Sequence, residues 1–223
     1  MEAWIFPSST TGQFSTWIMG KRLTESSDPY YLVMQGDGNQ KNRITFYSST
    51  SAAGSGRSIT TPTAVPIAVW THVAGVHEGT TLRLYINGAQ VAQGSALGSP
   101  RTDSATPFSV GHGIRSNGQG AYSSFDGSVS QARFWGVART AAQIAAGMNE
   151  GVPSEKTGLV AGWLLNEGTG LAAADYSGNN FPLQTQGANP PPISWVPTNG
   201  QSLDRVQTAL HVTIVSPDSA LQK

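Results

Sequence analysis

A pair of alternating runs in the middle of the chain constrains the fold more than any other feature. Trp70–Val76 and Leu82–Asn87 alternate between two kinds of side chain and flank a short turn. Period-two alternation over such lengths is typical of half-buried strands, so these runs predict an antiparallel hairpin. The second run ends in Asn87-Gly88, a dipeptide that tolerates the positive φ angles of a type I′ turn. We therefore expect another strand to fold back around residues 90–93, which completes a meander.

Short strands separated by turns are predicted along most of the remaining chain. The sequence contains 26 glycines and 13 prolines, a composition that favours turns over long helices. The other predicted strands are Glu2–Pro7, Phe14–Met19, Tyr30–Met34, Arg43–Ser48, Phe108–Gly111, Phe125–Trp135, Leu159–Leu165 and Ile193–Val196.

The sequence predicts one short helix, at about residues 140–148. Thr140 and Gln143 have the spacing of a capping box, in which each side chain accepts a hydrogen bond from the other residue's backbone amide. Ile144 and Met148 then fall on one helical face together with Ala141, so this face is expected to pack against the sandwich.

Four segments of the sequence share their order and residue pattern with one known family. They are Trp70–Ala74 with Leu82–Gly88, the early strand Glu2–Ile5, the late strand Phe125–Trp135, and Gly158–Trp163 continuing through Glu167–Gly170 to Asp175–Asn179. Together they resemble the laminin G-like jelly-roll domains of the concanavalin A-like lectin/glucanase superfamily. The resemblance implies an all-β fold, a jelly-roll sandwich of two antiparallel sheets with one short helix.

The resemblance also suggests how the chain is divided. It covers residues 1–196, and we expect residues 197–223 to be a C-terminal linker or an edge strand. In the family the segment 158–196 normally opens the module instead of closing it. Either the module is circularly permuted, or the chain is cut within an array and its C-terminal strand takes the place of the first. The alternative is that residues 158–196 begin a second, truncated repeat; we favour one closed sandwich.

Composition excludes several classes of partner. Lys plus Arg equals Asp plus Glu at 13 each, so no basic stripe is available for nucleic acid or for an anionic membrane surface. No apolar run approaches the roughly 20 residues of a membrane helix, and Met1 directly precedes a strand without a signal peptide. We expect a domain of a secreted or cell-surface protein of bacterial type.

Catalytic motifs are missing from the sequence. The glycosidases of the superfamily carry a Glu-x-Asp-x-x-Glu signature, and no segment of this chain matches it. The chain has no cysteine, which excludes thiolate chemistry, and its acidic residues are scattered singly. His72 and His77 point to opposite faces of one strand, and His72 is predicted to be a hydrogen-bonded interior histidine. The sequence therefore favours a protein that is not an enzyme.

The segment 112–124 is the first candidate for a ligand-binding rim. It is long and rich in glycine, and loops of this length without secondary structure are uncommon unless they are functional or disordered. The side chains expected to contact a ligand are His112, Arg115, Asn117, Gln119 and Tyr122. Tyr30 and Tyr31 adjoin another loop and are further candidates for stacking on a sugar.

Calcium is the one cofactor that the sequence suggests. Asp175, Ser177 and Asn179 offer oxygen atoms at alternate positions around a glycine, a spacing suited to a hard cation. Many members of the resembled family hold calcium at the rim of the sandwich, which favours the same interpretation. The alternative is an Asx-turn that closes a hairpin.

Two hypotheses for the function follow. The first is a non-catalytic, lectin-like module that binds carbohydrate through polar and aromatic side chains, since the sequence is neutral and rich in hydroxyl and amide groups. The second is a structural or protein–protein assembly module, such as an adhesin spacer, that binds another protein and no sugar.

Overall fold

The described part of the chain is dominated by strands. The computed structural model describes residues 1–8, 15–21, 29–50, 56–101, 107–114, 121–185, 194–196, 205–208 and 212–213. The strands are β1 (Glu2–Pro7), β2 (Thr16–Lys21), β3 (Tyr30–Met34), β4 (Ile44–Ser49), β5 (Gly56–Thr60), β6 (Thr71–Glu78), β7 (Thr81–Ile86), β8 (Ala89–Ser95), β9 (Phe108–Val110), β10 (His112–Ile114), β11 (Ala121–Ser124), β12 (Gly127–Trp135), β13 (Leu159–Trp163), β14 (Ala172–Ala173), β15 (Leu183–Thr185), β16 (Ser194–Val196), β17 (Arg205–Thr208) and β18 (Val212–Thr213). The helix α1 spans Ala141–Gly147, and a short 3-10 turn covers Gly38–Gln40.

Two large sheets form the sandwich. The first sheet has the strand order β16-β17-β12-β1-β6-β7-β8, and β13 also pairs with β12. The second has the order β10-β11-β2-β3-β4-β5, with β9 paired to β2, and a third small sheet contains β14, β15 and β18. Except for one parallel contact between β11 and β2, the pairs are antiparallel. The predicted all-β jelly-roll sandwich with one short helix is confirmed.

The central meander is present as predicted. β6 pairs with β7, and β7 pairs with β8 over Ala89–Ser95. Asn87 and Gly88 have φ angles of 49° and 79°, the left-handed values that a type I′ turn requires at both central residues. The dipeptide thus sets the return of the chain from β7 to β8 and the register of this pair.

The main core lies between the two large sheets. It contains alternate residues of the strands, including Ala3, Ile5, Ile18, Leu32, Met34, Ile44, Phe46, Val73, Leu82, Leu84, Val129, Ala132 and Phe134. Complete burial of an aliphatic side chain of this kind stabilises the fold by about 1.5–3 kcal/mol. Because side chains alternate along a strand, the residues between them point to the outer faces of the sheets.

A β-bulge in β12 changes which residues face the core. Gln131 has a φ angle of 50°, and the register with β1 shifts between Trp4 and Glu2. Before the bulge Val129 faces the core, and after it Ala132 and Phe134 do so. The extra residue therefore turns Arg133 away from the main core to the outer face of the first sheet, where it lies opposite Glu2.

The outer face of the first sheet is covered by α1 and the segment that follows it. Thr140 and Gln143 form the predicted capping box at the start of the helix. Ile144 packs with Ala74, Val76 and Tyr85 in a small second apolar cluster. The first sheet is therefore buried on both faces in this region, unlike a sheet with one face in solvent.

The side chain of Arg133 links several elements of this outer layer by hydrogen bonds. Its Nη1 donates to Glu2 Oε1 at 3.1 Å and to the Gly147 carbonyl at 3.0 Å, and its Nε donates to the Tyr176 hydroxyl at 2.9 Å. Its Nη2 donates to the carbonyls of Glu150 and Gly151. One buried guanidinium thus joins β1, the end of α1, the next turn and the loop after β14.

Strands near the C-terminus lengthen the first sheet. β17 pairs with Gly127–Val129 of β12, and β16 pairs with β17. β13 pairs with the other half of β12, from Ala132 to Trp135. The segment 158–163, which opens the module in the resembled family, therefore forms a strand beside β12 in this chain.

Arg133→Met is expected to lower the free energy of unfolding by about 3–5 kcal/mol, because it removes one partner of a buried ion pair and strands several carbonyl groups. The matched control is Arg83→Met, since Arg83 pairs with Glu78 at 2.7 Å on the exposed face. The control should cost less than about 1 kcal/mol. Urea unfolding of both variants measures the difference, and equal losses would contradict the central role of Arg133.

Candidate functional site

The structure describes part of the predicted ligand-binding rim. His112 is buried in β10, and its Nδ1 lies 3.1 Å from the Ser124 hydroxyl. Tyr122 belongs to β11, which pairs with β10 as a hairpin. Arg115, Asn117 and Gln119 lie outside the described residues. The prediction of a long loop without secondary structure over residues 112–124 is therefore wrong at both ends, where two strands pair as a hairpin. The five predicted ligand contacts stay a prediction.

The hairpin lies directly beside an aromatic side chain of the second sheet. Ser124 at the end of β11 pairs with Trp17 of β2. A Cβ atom placed on Gly113 of β10 would lie 3.2 Å from the Trp17 indole, so the glycine lets the ring lie close against the hairpin. The described part of the hairpin is thus in direct contact with Trp17.

Three aromatic rings, Trp17, Tyr31 and Tyr47, form a row across β2, β3 and β4, which we name the aromatic row. The centroids of Trp17 and Tyr31 are 5.2 Å apart, and those of Tyr31 and Tyr47 are 4.7 Å apart with nearly parallel planes at 8°. Both tyrosines are half-buried, whereas Trp17 is buried. The indole Nε1 of Trp17 has no hydrogen-bond partner within the described residues.

Strand register and a glycine place these rings together. Tyr31 and Tyr47 are directly opposite in the β3–β4 ladder, and both point away from the core that contains Leu32 and Phe46. A Cβ atom on Gly56 of β5 would overlap the ring of Tyr47. The ring therefore lies against the β5 backbone, a position that only glycine permits.

A chain of polar side chains runs beside the aromatic row, and we name it the polar chain. Ser15 Oγ donates to Gln35 Oε1 at 2.7 Å, and Gln35 Nε2 donates to Thr45 Oγ1 at 2.7 Å. The hydroxyls of Thr45 and Thr60 are 2.8 Å apart. Thr45 is two residues before Tyr47 on the same strand, so the polar chain and the aromatic row share one face of the second sheet.

This face combines the two kinds of group that recognise neutral sugars. Aromatic rings contact the apolar C–H faces of a sugar, and hydroxyl and amide groups bind its hydroxyls. The side chains of the aromatic row and the polar chain carry no formal charge. The face therefore suits an uncharged, hydroxyl-rich ligand better than a phosphate or carboxylate.

The sequence predicted this face only in part. Tyr31 was expected to stack on a sugar, and it lies in the aromatic row, whereas Tyr30 is in the core and stacks on Phe134 at 5.4 Å. Trp17 and Tyr47 were not predicted. The signal that could have identified Tyr47 is its position opposite Tyr31 once β3 and β4 are paired around their connecting turn.

The predicted calcium ligands form a closely bonded turn. Asp175 Oδ1 accepts from the amides of Gly162 and Ser177, both at 2.9 Å, and its Oδ2 accepts from the Ser177 hydroxyl at 2.7 Å. Asn179 Nδ2 donates to the Val160 carbonyl at 2.9 Å. The Asp175–Ser177 contacts have the form of an Asx-turn, and they also anchor the loop to β13.

Calcium binding at this turn stays a prediction. The carboxylate of Asp175 has both oxygens engaged by protein donors, so a cation would have to share or displace these bonds. Among the described residues there is no group of three or more His, Cys, Asp or Glu side chains that could hold a metal ion.

A buried cluster of ionisable groups lies on the outer face of the first sheet. Glu2 Oε1 accepts from Arg133 at 3.1 Å and from Arg139 at 2.8 Å. Burial raises the pKa of Glu2, but its electrostatic interactions with His72, Arg139 and Arg133 outweigh this effect and lower its pKa below the ordinary value. The carboxylate is therefore held ionised although it is buried.

His72 lies in this cluster instead of in the main core. Its ring meets the edge of Trp4 with centroids 5.5 Å apart, and its Nε2 is 3.9 Å from Glu2 Oε2. Within the described residues neither ring nitrogen has a hydrogen-bond partner. The prediction that His72 is buried is confirmed, but the prediction that it is hydrogen-bonded is wrong. Burial lowers the pKa of His72 to about 4, and the imidazole is neutral at physiological pH.

The low pKa of His72 predicts a loss of stability in mild acid. An unfolded histidine titrates near 6.5, so between pH 6.5 and 4 the unfolded chain binds more protons than the folded one. The free energy of unfolding should fall across this window by on the order of 3 kcal/mol. His72→Leu should flatten the decline, measured by urea unfolding from pH 7.5 to 4.

The control for this measurement is His77→Gln, which also removes one histidine.

Glu2 affects stability in a lower pH range. Because its pKa is lowered in the folded chain, it adds stability above its unfolded pKa, and this stability is lost only as the pH falls below about 4.5. A decline in His72→Leu that parallels the wild-type decline would contradict the assignment to His72.

No helix among the described residues is long and apolar enough to cross a membrane. The single helix, α1, has seven residues.

Comparison with known proteins places the chain in a family. Residues 1–145 match the laminin G-like family described as the concanavalin A-like lectin/glucanases superfamily. Pappalysin-1 of Mus musculus is 28% identical over 144 residues, which are 63% of this chain and 8% of that protein. The chain therefore spans a small part of this curated relative.

Two solved structures are similar as well. A candidate carbohydrate-binding protein from Bacteroides ovatus has a TM-score of 0.61 and 20% identity, covering 81% of this chain and 50% of that chain. Domain 4 of an extracellular arabinanase from Geobacillus stearothermophilus, solved with arabinotriose, has a TM-score of 0.49 and 22% identity, covering 65% of this chain and 63% of that chain. Because the family match covers well over half of the sequence, the chain belongs to the laminin G-like family of the concanavalin A-like lectin/glucanase superfamily.

Proposed function

We propose that this chain is a non-catalytic, lectin-like module that binds a neutral carbohydrate on the outer face of the second sheet. The observation that carries the proposal is the aromatic row of Trp17, Tyr31 and Tyr47 beside the polar chain of Ser15, Gln35, Thr45 and Thr60. The rings supply apolar contact, and the polar chain supplies donors and acceptors along the same face.

The dimensions of this face favour a ligand that extends across the strands. The three ring centroids follow one another at 5.2 and 4.7 Å, a spacing close to the separation of adjacent strands. The half-buried rings of Tyr31 and Tyr47 are the members of the row that a ligand can reach, whereas Trp17 is buried behind them. The hairpin β10–β11 borders the row at Trp17. We also propose, from the sequence alone, that His112, Arg115, Asn117, Gln119 and Tyr122 contact the ligand.

The comparisons support the proposal at the level of fold. The Bacteroides ovatus protein shares the architecture at 20% identity, and its description as a carbohydrate-binding protein favours a carbohydrate ligand for this chain. Glycans accessible to such a module are found mainly outside cells, so the proposal includes a secreted or cell-surface location in a bacterial-type protein.

Protein–protein assembly is the second candidate function. β8 is the last strand of the first sheet within the described residues, and its pattern of exposure leaves several of its side chains in solvent. An edge strand of this kind can pair with a strand of another chain. Light scattering over a concentration series would support assembly if the mass increased in the absence of sugar.

Alanine substitution in the aromatic row should weaken sugar binding without unfolding the protein. Tyr31→Ala and Tyr47→Ala each remove a half-buried ring, and we expect affinity for a glycan-array hit to fall about two- to tenfold, since such ring contacts contribute about 0.5–1.5 kcal/mol. Titration calorimetry measures the affinity, and a thermal melt checks folding.

Trp70→Ala is the matched control for these variants. Trp70 is a half-buried aromatic residue of the first sheet, where its ring lies 5.4 Å from that of Phe6. Its removal should leave sugar affinity unchanged. Binding that survives both tyrosine substitutions, or that falls equally in the control, would place the ligand elsewhere.

We also propose that calcium binds at Asp175, Ser177 and Asn179. A site with a dissociation constant of about 0.1–1 mM would add about 1.4 kcal/mol at tenfold saturation, which raises the melting temperature by about 3–6 °C. The melting temperature is measured in a buffer with calcium and in a buffer with chelator. Asp175→Asn should abolish the shift, whereas Asp37→Asn at an exposed loop should retain it; equal melts in both buffers would exclude the site.

A further inference from the structure

A serine and a histidine form a hydrogen-bonded pair at the wall of a cavity. Ser48 on β4 and His77 on β6 lie 2.7 Å apart, measured from Ser48 Oγ to His77 Nδ1. Both residues line a cavity of about 270 Å³. Because Ser48 follows Tyr47 along β4, its side chain points to the face of the second sheet opposite to the aromatic row. The pair is therefore separate from the proposed carbohydrate site.

Two backbone carbonyl groups fix the tautomer of His77. Its Nε2 lies 2.7 Å from the Gly98 carbonyl oxygen and 3.1 Å from the Gly79 carbonyl oxygen. A carbonyl oxygen only accepts hydrogen bonds, so Nε2 carries the proton of the neutral imidazole. Nδ1 then carries the lone pair, and it accepts the hydrogen bond that the Ser48 hydroxyl donates.

This arrangement is that of a nucleophile with its general base. An activated serine needs a base within about 2.6–3.2 Å and a third group that orients this base. The Ser48–His77 distance falls in this range, and the two carbonyl groups orient the imidazole through its other nitrogen. When Ser48 Oγ attacks an electrophilic carbon, its proton can therefore pass to Nδ1.

The other walls of the cavity suit a small apolar ester. Phe46, Val76 and Phe134 line the cavity, and all three side chains are buried. An engineered protein cavity of about 150 Å³ takes up benzene. A cavity of about 270 Å³ has room for an aromatic ring that carries a short ester group.

Arg101 brings a positive charge to the wall of the same cavity. It is a buried residue, and its backbone amide donates to the carbonyl of Ser49, the residue after Ser48, at 2.9 Å. A guanidinium is charged at every physiological pH. Negative charge develops on the carbonyl oxygen of an ester when a hydroxyl attacks it, and a cation in an apolar site stabilises this charge. Arg101 therefore favours transfer of an acyl group in this cavity.

We propose that Ser48 is a reactive hydroxyl that accepts one acyl group from a small apolar ester bound in the cavity. Ser48 Oγ forms a bond to the acyl carbon, and the bond from that carbon to the leaving oxygen breaks. His77 Nδ1 takes the hydroxyl proton and returns it to the leaving alcohol or phenol. The apolar walls exclude the water that would cleave the new ester, so each chain is acylated once and the module stays non-catalytic.

The test treats the full chain with p-nitrophenyl acetate and measures p-nitrophenol release together with the protein mass. One equivalent of p-nitrophenol per chain should be released rapidly, and the protein should gain one acetyl group. Fragmentation of the tryptic peptide 44–57 should place this group on Ser48. A purely structural hydrogen bond between Ser48 and His77 would not give this result, because an unactivated serine hydroxyl is a weak nucleophile.

Three variants separate the roles of the two side chains. Ser48→Ala should lose the rapid release, and His77→Gln, which keeps a hydrogen-bonding side chain without a base, should slow it about a hundredfold. Ser109→Ala is the matched control and should react at the wild-type rate. Ser109 is another buried serine of a strand, and its hydroxyl donates to the Gly20 carbonyl instead of to a base. Thermal melts check that each variant is folded.

Four results would overturn the proposal. They are the absence of rapid release in the wild type, an unchanged rate in Ser48→Ala, an unchanged rate in His77→Gln, and continued release beyond one equivalent per chain. Sugar affinity is measured in parallel, and Ser48→Ala should bind as the wild type does, because Ser48 and the aromatic row lie on opposite faces of the second sheet. Failure of acylation and failure of sugar binding are thus observed separately.

Discussion

Burial of the ion pair between Glu2 and Arg133 is the constraint on which the first sheet depends. Both side chains are almost fully buried, at 2% and 1% exposure. Charges in such surroundings need every donor and acceptor satisfied. The bulge at Gln131 turns Arg133 to the outer face, and the end of α1 supplies the Gly147 carbonyl, which accepts from Arg133 and from the Glu150 amide. One ion pair therefore explains why a strand irregularity, a short helix and a following turn occur together.

The two large sheets differ in what covers their outer faces. The first sheet is covered on one face by the main core and on the other by α1, which contributes Ile144 to a second apolar cluster. The second sheet contributes Leu32 and Phe46 to the core and carries Tyr31 and Tyr47 on its opposite face. A ligand site on the second sheet can thus vary without disturbing the buried charges, because the core lies between them.

Short sequence motifs correctly predicted those parts of the structure that are determined by residues close together in the chain. Asn87-Gly88 predicted the meander, and Thr140 with Gln143 predicted the helix, since each acts within one turn of the chain. The bulge at Gln131 has no such signal, so the location of His72 beneath the helix layer was not foreseen. The aromatic row depends on register between residues as distant as Tyr31 and Tyr47, which a pattern along one strand does not report.

On the outer face of each large sheet an aromatic ring packs directly against a glycine, but the two rings have different surroundings. In the first sheet the ring of Tyr176 lies against Gly162, and its hydroxyl accepts a hydrogen bond from Arg133 at 2.9 Å, which makes this ring part of the scaffold. In the second sheet the ring of Tyr47 lies against Gly56 and stacks on Tyr31. The first ring is held by a buried charge, whereas the second is held by ring contacts and stays half-buried. The same packing arrangement therefore supports the buried charges on one sheet and leaves a half-buried aromatic surface on the other.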